Sequence, residues 1–174
     1  MKTKLSSTML IIGLIIFSTT LFCQNSTAKS ETLTQLLNQA KSENKNLFMI
    51  FGWEGCGWCR VLDKYHKDKE VNALLGKHFF FIKMDIEKNA DGKALDEIYG
   101  TGGTPSWTIF DKEGAVLIDS DSGNGNIGFP SSKDELAYYI VAMKKAIPSL
   151  SDQDGEFLIS KLKEYRIKKS QNLL

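Results

Sequence analysis

The sequence predicts an α/β fold: a mixed central sheet of parallel strands with a closing antiparallel hairpin, and helices on both faces. Two patterns predict it. Short apolar runs, typical of strands buried on both faces, alternate with segments whose apolar residues recur at helical spacing. Later, two short apolar runs flank Asp111–Gly114, which predicts an antiparallel hairpin with a Gly-ended turn. Strands joined through helices pair in parallel with right-handed crossovers, so the sheet is expected to be mixed.

The first helix and strand follow from residue spacing. Apolar residues at i, i+3, i+4 and i+7, beginning at Leu33, predict an amphipathic helix over about 31–44. The run Leu47–Phe51 is apolar throughout and too short for a buried helix, which indicates a central strand covered on both faces. A turn over Gly52–Gly57 follows, and a second helix is expected to begin at the two cysteines of this region.

The later elements are predicted from the same periodicities and from signals at their ends. Ser132 followed three residues later by Glu135 is a capping box, and Pro148 stops the helix that it starts. In chain order, the predictions are a short helix at 71–75, a strand at 79–86, a helix at 91–99, hairpin strands at 107–110 and 115–118, a loop at 123–130, and helices at 132–147 and 152–170.

Composition limits the classes of function. The chain has 174 residues, and 42% hydrophobic and 25% charged residues are ordinary for a soluble globular protein of one domain with some extra length. Lysine and arginine number 22 against 21 acidic residues, so no broad cationic surface is implied and no nucleic-acid partner is expected. Three cysteines are too few for a disulfide scaffold.

The N-terminus has the pattern of an export signal. Lys2 and Lys4 precede an almost wholly apolar run, Met9–Phe22, and small residues lead to a plausible cleavage site after Ala28. The run is short for a transmembrane helix, which needs about 20 residues. We therefore predict a signal peptide over 1–28 and an exported protein, periplasmic or extracellular. An uncleaved N-terminal anchor is the alternative.

Cys23 leaves a further possibility open. A cysteine just after an apolar run is the pattern of a bacterial lipid-attachment site, although Phe22 stands where that signal normally has a small residue. Membrane attachment is therefore expected only if Cys23 is lipidated. Cleavage after Ala28 would instead leave Cys56 and Cys59 as the only cysteines of the exported protein.

The segment Trp53–Cys59, between a buried strand and a helix, contains the candidate reactive residues. The thiolate is the nucleophilic form of cysteine, and a helix N-terminus stabilises negative charge through its dipole and free N–H groups. Cys56 is expected at that end with a lowered pKa. Cys59, one turn further on the same face, could close a disulfide with it. Gly57 would let a substrate approach closely, and Trp58 would cover the pair.

The sequence gives less support to three other roles of a Cys-x-x-Cys pair. A zinc site needs more ligands, and neither His66 nor His78 stands at zinc-finger spacing, so no metal or other cofactor is expected. A purely structural disulfide would close too small a loop to add much stability in the chain-entropy model. Haem attachment needs a histidine directly after the second cysteine, where Arg60 stands.

The chain resembles the thioredoxin superfamily over about 40–147. The resemblance rests on the W-x-x-C-G-W-C segment after an apolar strand, on Gly103-Thr104-Pro105 before a strand, and on Asp111–Gly114, in that order. The stretch Cys59–Leu62 followed by Val71 is most similar to exported thioredoxin-like domains related to the C-terminal domain of the membrane thiol:disulfide interchange protein.

The resemblance implies a thioredoxin fold and dithiol–disulfide exchange. In that family's reaction Cys56 would attack and Cys59 would resolve the mixed disulfide. Trp58, Thr104 and Pro105 would contact the substrate, and Pro105 would be the family's cis-proline, facing the cysteines. The implied partners are cysteine-containing protein substrates and a redox partner protein. The exported isomerases of this superfamily often dimerise through an added domain; the sequence shows no such domain, so a monomer is expected.

Two departures from the family pattern concern proton handling and redox poise. Ile50 stands where thioredoxin has a buried acid, six residues before the first cysteine, and Lys83 matches the lysine that partners this acid. Because a buried unpaired ammonium is costly, we expect Lys83 to reach solvent, Glu54 or Asp85. Glu54 and Lys83 are the candidates for proton transfer, with a solvated loop residue as the alternative for Glu54. Gly57-Trp58 replaces the Gly-Pro of thioredoxin. Because the two residues between the cysteines influence the reduction potential, the protein cannot be assumed to act as a reductant.

We predict an exported thiol–disulfide oxidoreductase with a thioredoxin-like domain at 29–148 and a C-terminal helical extension at 149–174. The alternatives are a thioredoxin-fold binding or chaperone module for partner polypeptides, a disulfide isomerase and a peroxidase-like enzyme. Thr104 before the proline resembles the exported isomerases. The intact cysteine pair favours exchange over binding alone, and peroxidases usually place their reactive cysteine differently.

Overall fold

A computed structural model describes residues 24–174, with side chains from residue 31 onward. The predicted apolar run of the signal peptide and Cys23 lie outside the described residues. The elements in chain order are helix α1 (Gln24–Ser42), strand β1 (Asn46–Gly52), helix α2 (Gly57–Lys67), helix α3 (Lys69–Leu75), strand β2 (Phe79–Asp85), helix α4 (Ala90–Tyr99), strand β3 (Ser106–Phe110), strand β4 (Val116–Asp119), helix α5 (Lys133–Ala146) and helix α6 (Asp152–Ser170).

The four strands form one mixed sheet in the order β2-β1-β3-β4. Strand β1 pairs in parallel with β2 and antiparallel with β3, and β3 and β4 form the antiparallel hairpin. The predicted fold class is therefore confirmed. Within this sheet Ile50 lies opposite Lys83 on one side and Trp107 on the other.

Residues Leu47–Phe51 of strand β1 are all apolar because both faces of the sheet are covered. Side chains alternate between the faces of a strand. Phe48 and Ile50 join the larger core, which also takes side chains from α2, α5 and α6. Leu47, Met49 and Phe51 join the smaller core, formed with α1 and α4.

The boundaries differ from the predictions mainly at α1. This helix begins at Gln24, whereas the sequence predicted a start near residue 31. The residues before Leu33 carry no apolar periodicity, so the spacing rule could not predict the first turns of the helix. The capping box of α5 is present: the Ser132 hydroxyl accepts from the Glu135 N–H, and the Glu135 carboxylate accepts from the Ser132 N–H. Within residues 24–174, no helix has the length and apolarity needed to cross a membrane.

The last helix packs onto the domain along one face. Leu158, Leu162 and Tyr165 are buried in the larger core. The Tyr165 hydroxyl donates to Asp68 Oδ2 at 3.2 Å, between α2 and α3. Lys169 of α6 lies beside Gly57, so the C-terminal end of α6 is next to the N-terminal end of α2, where the cysteine pair lies.

Candidate active site

Cys56 and Cys59 are joined by a disulfide at the start of α2, with their Cα atoms 5.3 Å apart. Cys56 is the N-cap residue of the helix, and its Sγ accepts a hydrogen bond from the Cys59 N–H at 3.1 Å. Cys56 is 7% exposed and Cys59 is 1% exposed. Cys56 is therefore the more exposed residue of the pair, and its sulfur lies at the helix N-terminus, an arrangement that favours negative charge.

Gly52, which the sequence did not single out, allows the sheet to approach the inner sulfur. A methyl group at Gly52 would lie 2.7 Å from Cys59 Sγ and 3.8 Å from Cε of Lys83. Any side chain here would therefore force the pair to move. The signal available in the sequence was the glycine that ends the apolar strand, four residues before Cys56.

A groove of about 470 Å³ begins beside the pair at Trp58. Thr104 and Pro105 line it, and the peptide bond between them is cis, the form that the resemblance implies. Trp58 is 42% exposed and stacks on Phe129 with ring centroids 5.3 Å apart. The structure thus brings all three predicted substrate-binding residues to one groove, and it adds Asn126 and Phe129, which the sequence analysis had placed in or near an undistinguished loop.

The loop before α5 holds the Thr104–Pro105 turn in place. The Asn126 side-chain amide donates to Pro105 O at 3.0 Å, and its Oδ1 accepts from the Gly128 N–H at 2.9 Å. The indole N–H of Trp107 donates to Gly128 O at 3.0 Å. Gly128 has φ +47, and a methyl group there would lie 2.8 Å from Pro105 O. A glycine is therefore needed for the loop to approach the turn this closely.

The two candidates for proton transfer both face solvent. Lys83 is exposed, so the expectation that it reaches solvent is confirmed. Glu54 is also exposed and forms an ion pair with Lys88, and the hydrogen bond from Lys88 lowers the pKa of Glu54. The guanidinium of Arg60 donates to the backbone oxygen of Glu54 at 2.9 Å and fixes the loop before Cys56. A role of either residue in proton transfer stays a prediction.

A second cavity, of about 250 Å³, lies between α2 and the sheet, with Ile50, His66 and Lys83 in its lining. His66 is buried, and its ring stacks on Phe81 with centroids 4.6 Å apart. Burial lowers the pKa of His66 from 6.5 to about 3. Across the part of the chain with described side chains, no three His, Cys, Asp or Glu residues are grouped so that they could hold a metal ion.

This geometry agrees with a comparison to known families. The model of the family Thioredox_DsbH, described as "Protein of unknown function, DUF255", matches residues 19–116, more than half of the chain. The chain belongs to this family. The match includes both cysteines and the Thr104–Pro105 turn, and it ends before α5 and α6. Membership in the thioredoxin superfamily, with a Cys-x-x-Cys pair, is thereby established, whereas the closer resemblance to the membrane thiol:disulfide interchange protein stays a prediction.

The curated relatives are much longer proteins. Uncharacterized protein B0495.5 of Caenorhabditis elegans is 29% identical over 111 residues, which are 56% of this chain and 15% of that protein. Human spermatogenesis-associated protein 20 is 29% identical over 68 residues, 38% of this chain and 8% of that protein. The chain therefore corresponds to a small part of these relatives.

A solved structure matches most of the domain. The crystal structure of a disulphide isomerase from Xylella fastidiosa Temecula1 is similar with a TM-score of 0.51 and 25% sequence identity. The similarity covers 66% of this chain and 88% of that one. It agrees with the thioredoxin fold seen in the sheet topology.

Proposed function

We propose that the protein is a thiol–disulfide oxidoreductase that exchanges disulfides with cysteines of other proteins. One observation carries the proposal: the Cys56 sulfur caps α2 at the helix N-terminus, with Cys59 directly bonded to it and more deeply buried. A thiolate formed at Cys56 would be stabilised by the helix and would be the sulfur that a substrate can reach. The similarity to a structure named disulphide isomerase supports the same chemistry.

The exchange would proceed in two steps. The Cys56 thiolate of the reduced pair attacks one sulfur of a substrate disulfide, whose S–S bond breaks and releases one substrate thiolate. The Cys59 thiolate then attacks Cys56 Sγ in the mixed disulfide. This step closes the Cys56–Cys59 bond, releases the second substrate thiolate, and leaves the substrate reduced by two electrons. The released thiolates take up protons from solvent, and a dithiol redox partner regenerates the pair by the reverse exchange.

The groove would hold an extended segment of the substrate. Pro105 has no N–H, and its oxygen already accepts from Asn126. Within the described chain, the backbone of Thr104 takes part in no hydrogen bond. It is therefore available to pair with a substrate strand, as in strand addition. The exposed face of Trp58 would contact the residues next to the substrate cysteine.

The proposal includes export of the protein as a monomer that acts on protein cysteines outside the cytoplasm. It is supported by the charged and then apolar pattern over Lys2–Phe22. Mass spectrometry of the intact protein purified from its native cell would test this part. Cleavage after Ala28 would support export, a lipid mass on Cys23 would add membrane attachment, and a full-length chain in the cytoplasm would contradict it.

The function is tested by reduction of a model protein disulfide and by trapping. We expect the reduced protein to cleave the disulfide, Cys56→Ser to abolish the reaction, and Cys59→Ser to accumulate mixed disulfides, because the resolving step is lost. The double variant Cys56→Ser/Cys59→Ser is the matched control and should trap nothing. Full reduction by Cys56→Ser would contradict the proposed role of Cys56, and failure of the reduced wild type to cleave the disulfide would contradict the proposal and favour a binding module. Recovery of activity of a scrambled multi-disulfide protein would distinguish an isomerase from a simple reductase or oxidase.

A further inference from the structure

The packed face of α6 ends at a lysine beside the cysteine pair. Leu158, Leu162 and Tyr165 recur at the spacing of one helix face, and all three are buried. Lys169 follows Tyr165 by four residues and continues this face toward the N-terminal end of α2. A methyl group placed on Gly57, between the two cysteines, would lie 3.5 Å from Lys169 Nζ and 3.7 Å from its Cε. The ammonium of Lys169 therefore lies at the first residue of α2.

Contacts near the C-terminal end of α2 fix the position of α6 and therefore of Lys169. Asp68, after the last residue of α2, accepts a hydrogen bond from Tyr165 and lies 3.6 Å from Nζ of Lys161, which also pairs with Glu70. Helix α6 thus runs antiparallel to α2, with Tyr165 near the C-terminal end of α2 and Lys169 near its N-terminal end. Because these contacts and the buried apolar face hold α6 in place, the fold brings Lys169 to the start of α2.

Lys169 differs from Lys161 and Lys168 of the same helix in having no counter-ion. Lys168 pairs with Glu164, and Lys161 pairs with Glu70. Lys169 is half-buried, and its ammonium makes no ion pair or hydrogen bond with any residue whose side chain the structure describes. A partly buried ammonium without a counter-ion is available to interact with a charge that appears only during the reaction.

The other charged groups near Cys56 are engaged with other partners or lie on the side of Cys59. On its own loop and helix, Glu54 is paired with Lys88, and Arg60 donates to a backbone oxygen. From β2, Lys83 approaches Gly52 on the side of Cys59. The residues that line the groove, from the Thr104–Pro105 turn and the loop before α5, include no ionisable side chain.

We propose that Lys169 is a positioning residue of the cysteine pair: it holds positive charge beside Cys56 and favours the thiolate of the reduced protein. The inference rests on the proposed function, because a thiolate at Cys56 matters only if that sulfur reacts. Lys169 lies outside the 19–116 segment that matches the family, so this contribution comes from the C-terminal helix of this chain. The C-terminal extension would then be part of the active site.

The test is the pH profile of alkylation of Cys56 in the reduced full-length protein, followed by mass spectrometry of the Cys56 peptide. Below the midpoint of the profile, we expect Lys169→Gln to slow alkylation by about three- to tenfold, and added salt to shrink the difference. Lys169→Arg keeps the charge and should restore the rate. Lys163→Gln, an exposed lysine of the same helix, is the matched control and should match the wild type.

A lysine in the last turn of α6 could instead serve only the helix, by opposing its C-terminal dipole. In that case Lys169→Gln would lower the thermal midpoint and leave the alkylation profile unchanged, which would overturn the inference. An equal slowing in Lys163→Gln would also overturn it. Neither result depends on a protein substrate. If the wild type fails to reduce disulfides but the profile shifts in Lys169→Gln, the proposed function is wrong and the electrostatic inference stands.

Discussion

Mild acid should destabilise the fold through His66. Its side chain is 5% exposed and lies between Phe81 and Phe48, with ring centroids 4.6 and 5.1 Å away. Neither ring nitrogen has a hydrogen-bond partner among the described residues. A protonated imidazole would therefore be a buried charge with no compensating contact, and burial lowers the pKa of His66 to about 3.

The sign and size of the effect follow from linkage. The unfolded chain binds a proton at this histidine near pH 6.5, whereas the folded chain does so only near pH 3. The stabilisation from neutral His66 is therefore complete above pH 6.5 and is lost as the pH falls toward 3. At 1.36 kcal/mol per pH unit, the free energy of unfolding should fall by about 2 kcal/mol between pH 8 and pH 5 because of this one group.

Urea unfolding of the oxidised protein at pH 8 and pH 5, followed by tryptophan fluorescence, measures this fall in the free energy of unfolding. His66→Phe keeps an aromatic ring without titration, and His66→Gln keeps a polar side chain without titration. Any packing cost appears at pH 8 and cancels in the difference between the two pH values, as do the contributions of Asp63 and Lys83, which line the same cavity. Both variants should lose about 2 kcal/mol less than the wild type. An equal loss in all three proteins would refute the reasoning.

Two glycines of the site give further predictions. Gly52→Ala puts a methyl group 2.7 Å from Cys59 Sγ, so the free energy of unfolding of the oxidised protein should fall by about 1–3 kcal/mol, measured in urea. An unchanged midpoint would show that the sulfur can move aside freely. In Gly128→Ala the new methyl group would clash with Pro105 O, and the backbone has a positive φ that alanine rarely adopts. In Gly123→Ala the backbone also has a positive φ, but the methyl group would lie in open space. We expect the Gly128 variant to reduce a model disulfide more slowly than the Gly123 variant, and equal rates would contradict the role of this contact in shaping the groove.

Local patterns were sufficient to predict the frame of the site. The apolar run Leu47–Phe51 gives a strand whose two faces are both buried, and the following loop and helix place Cys56 at a helix N-terminus. These features depend only on residues close together in sequence, so periodicity and capping rules predict them. The exposure of Lys83 was predictable for a related reason, because Ile50 removes the acid that would let this lysine be buried.

The remaining features depend on contacts between different elements of the fold rather than on spacing within one element. Gly52 matters because Cys59 folds back onto it, and Asn126 matters because its loop crosses to Pro105. Lys169 reaches Gly57 only because α6 packs antiparallel to α2. No spacing rule encodes such approaches, and a lysine at the end of a charged helix has the pattern of a solvated residue.

The arrangement of charge bears on the direction of electron flow. Thioredoxin has a buried acid below its cysteines, whereas here Ile50 fills that position and the side chain of Lys83 passes Gly52 on the side of Cys59. Lys169 lies on the other side, next to Gly57. If both ammonium groups act on the pair, they and the helix N-terminus at Cys56 would stabilise thiolates, and a pair whose reduced form is stabilised has a higher reduction potential. Under the proposed role of Lys169, we expect the pair to accept electrons from protein thiols more readily than thioredoxin does, and its equilibrium constant with glutathione would measure this.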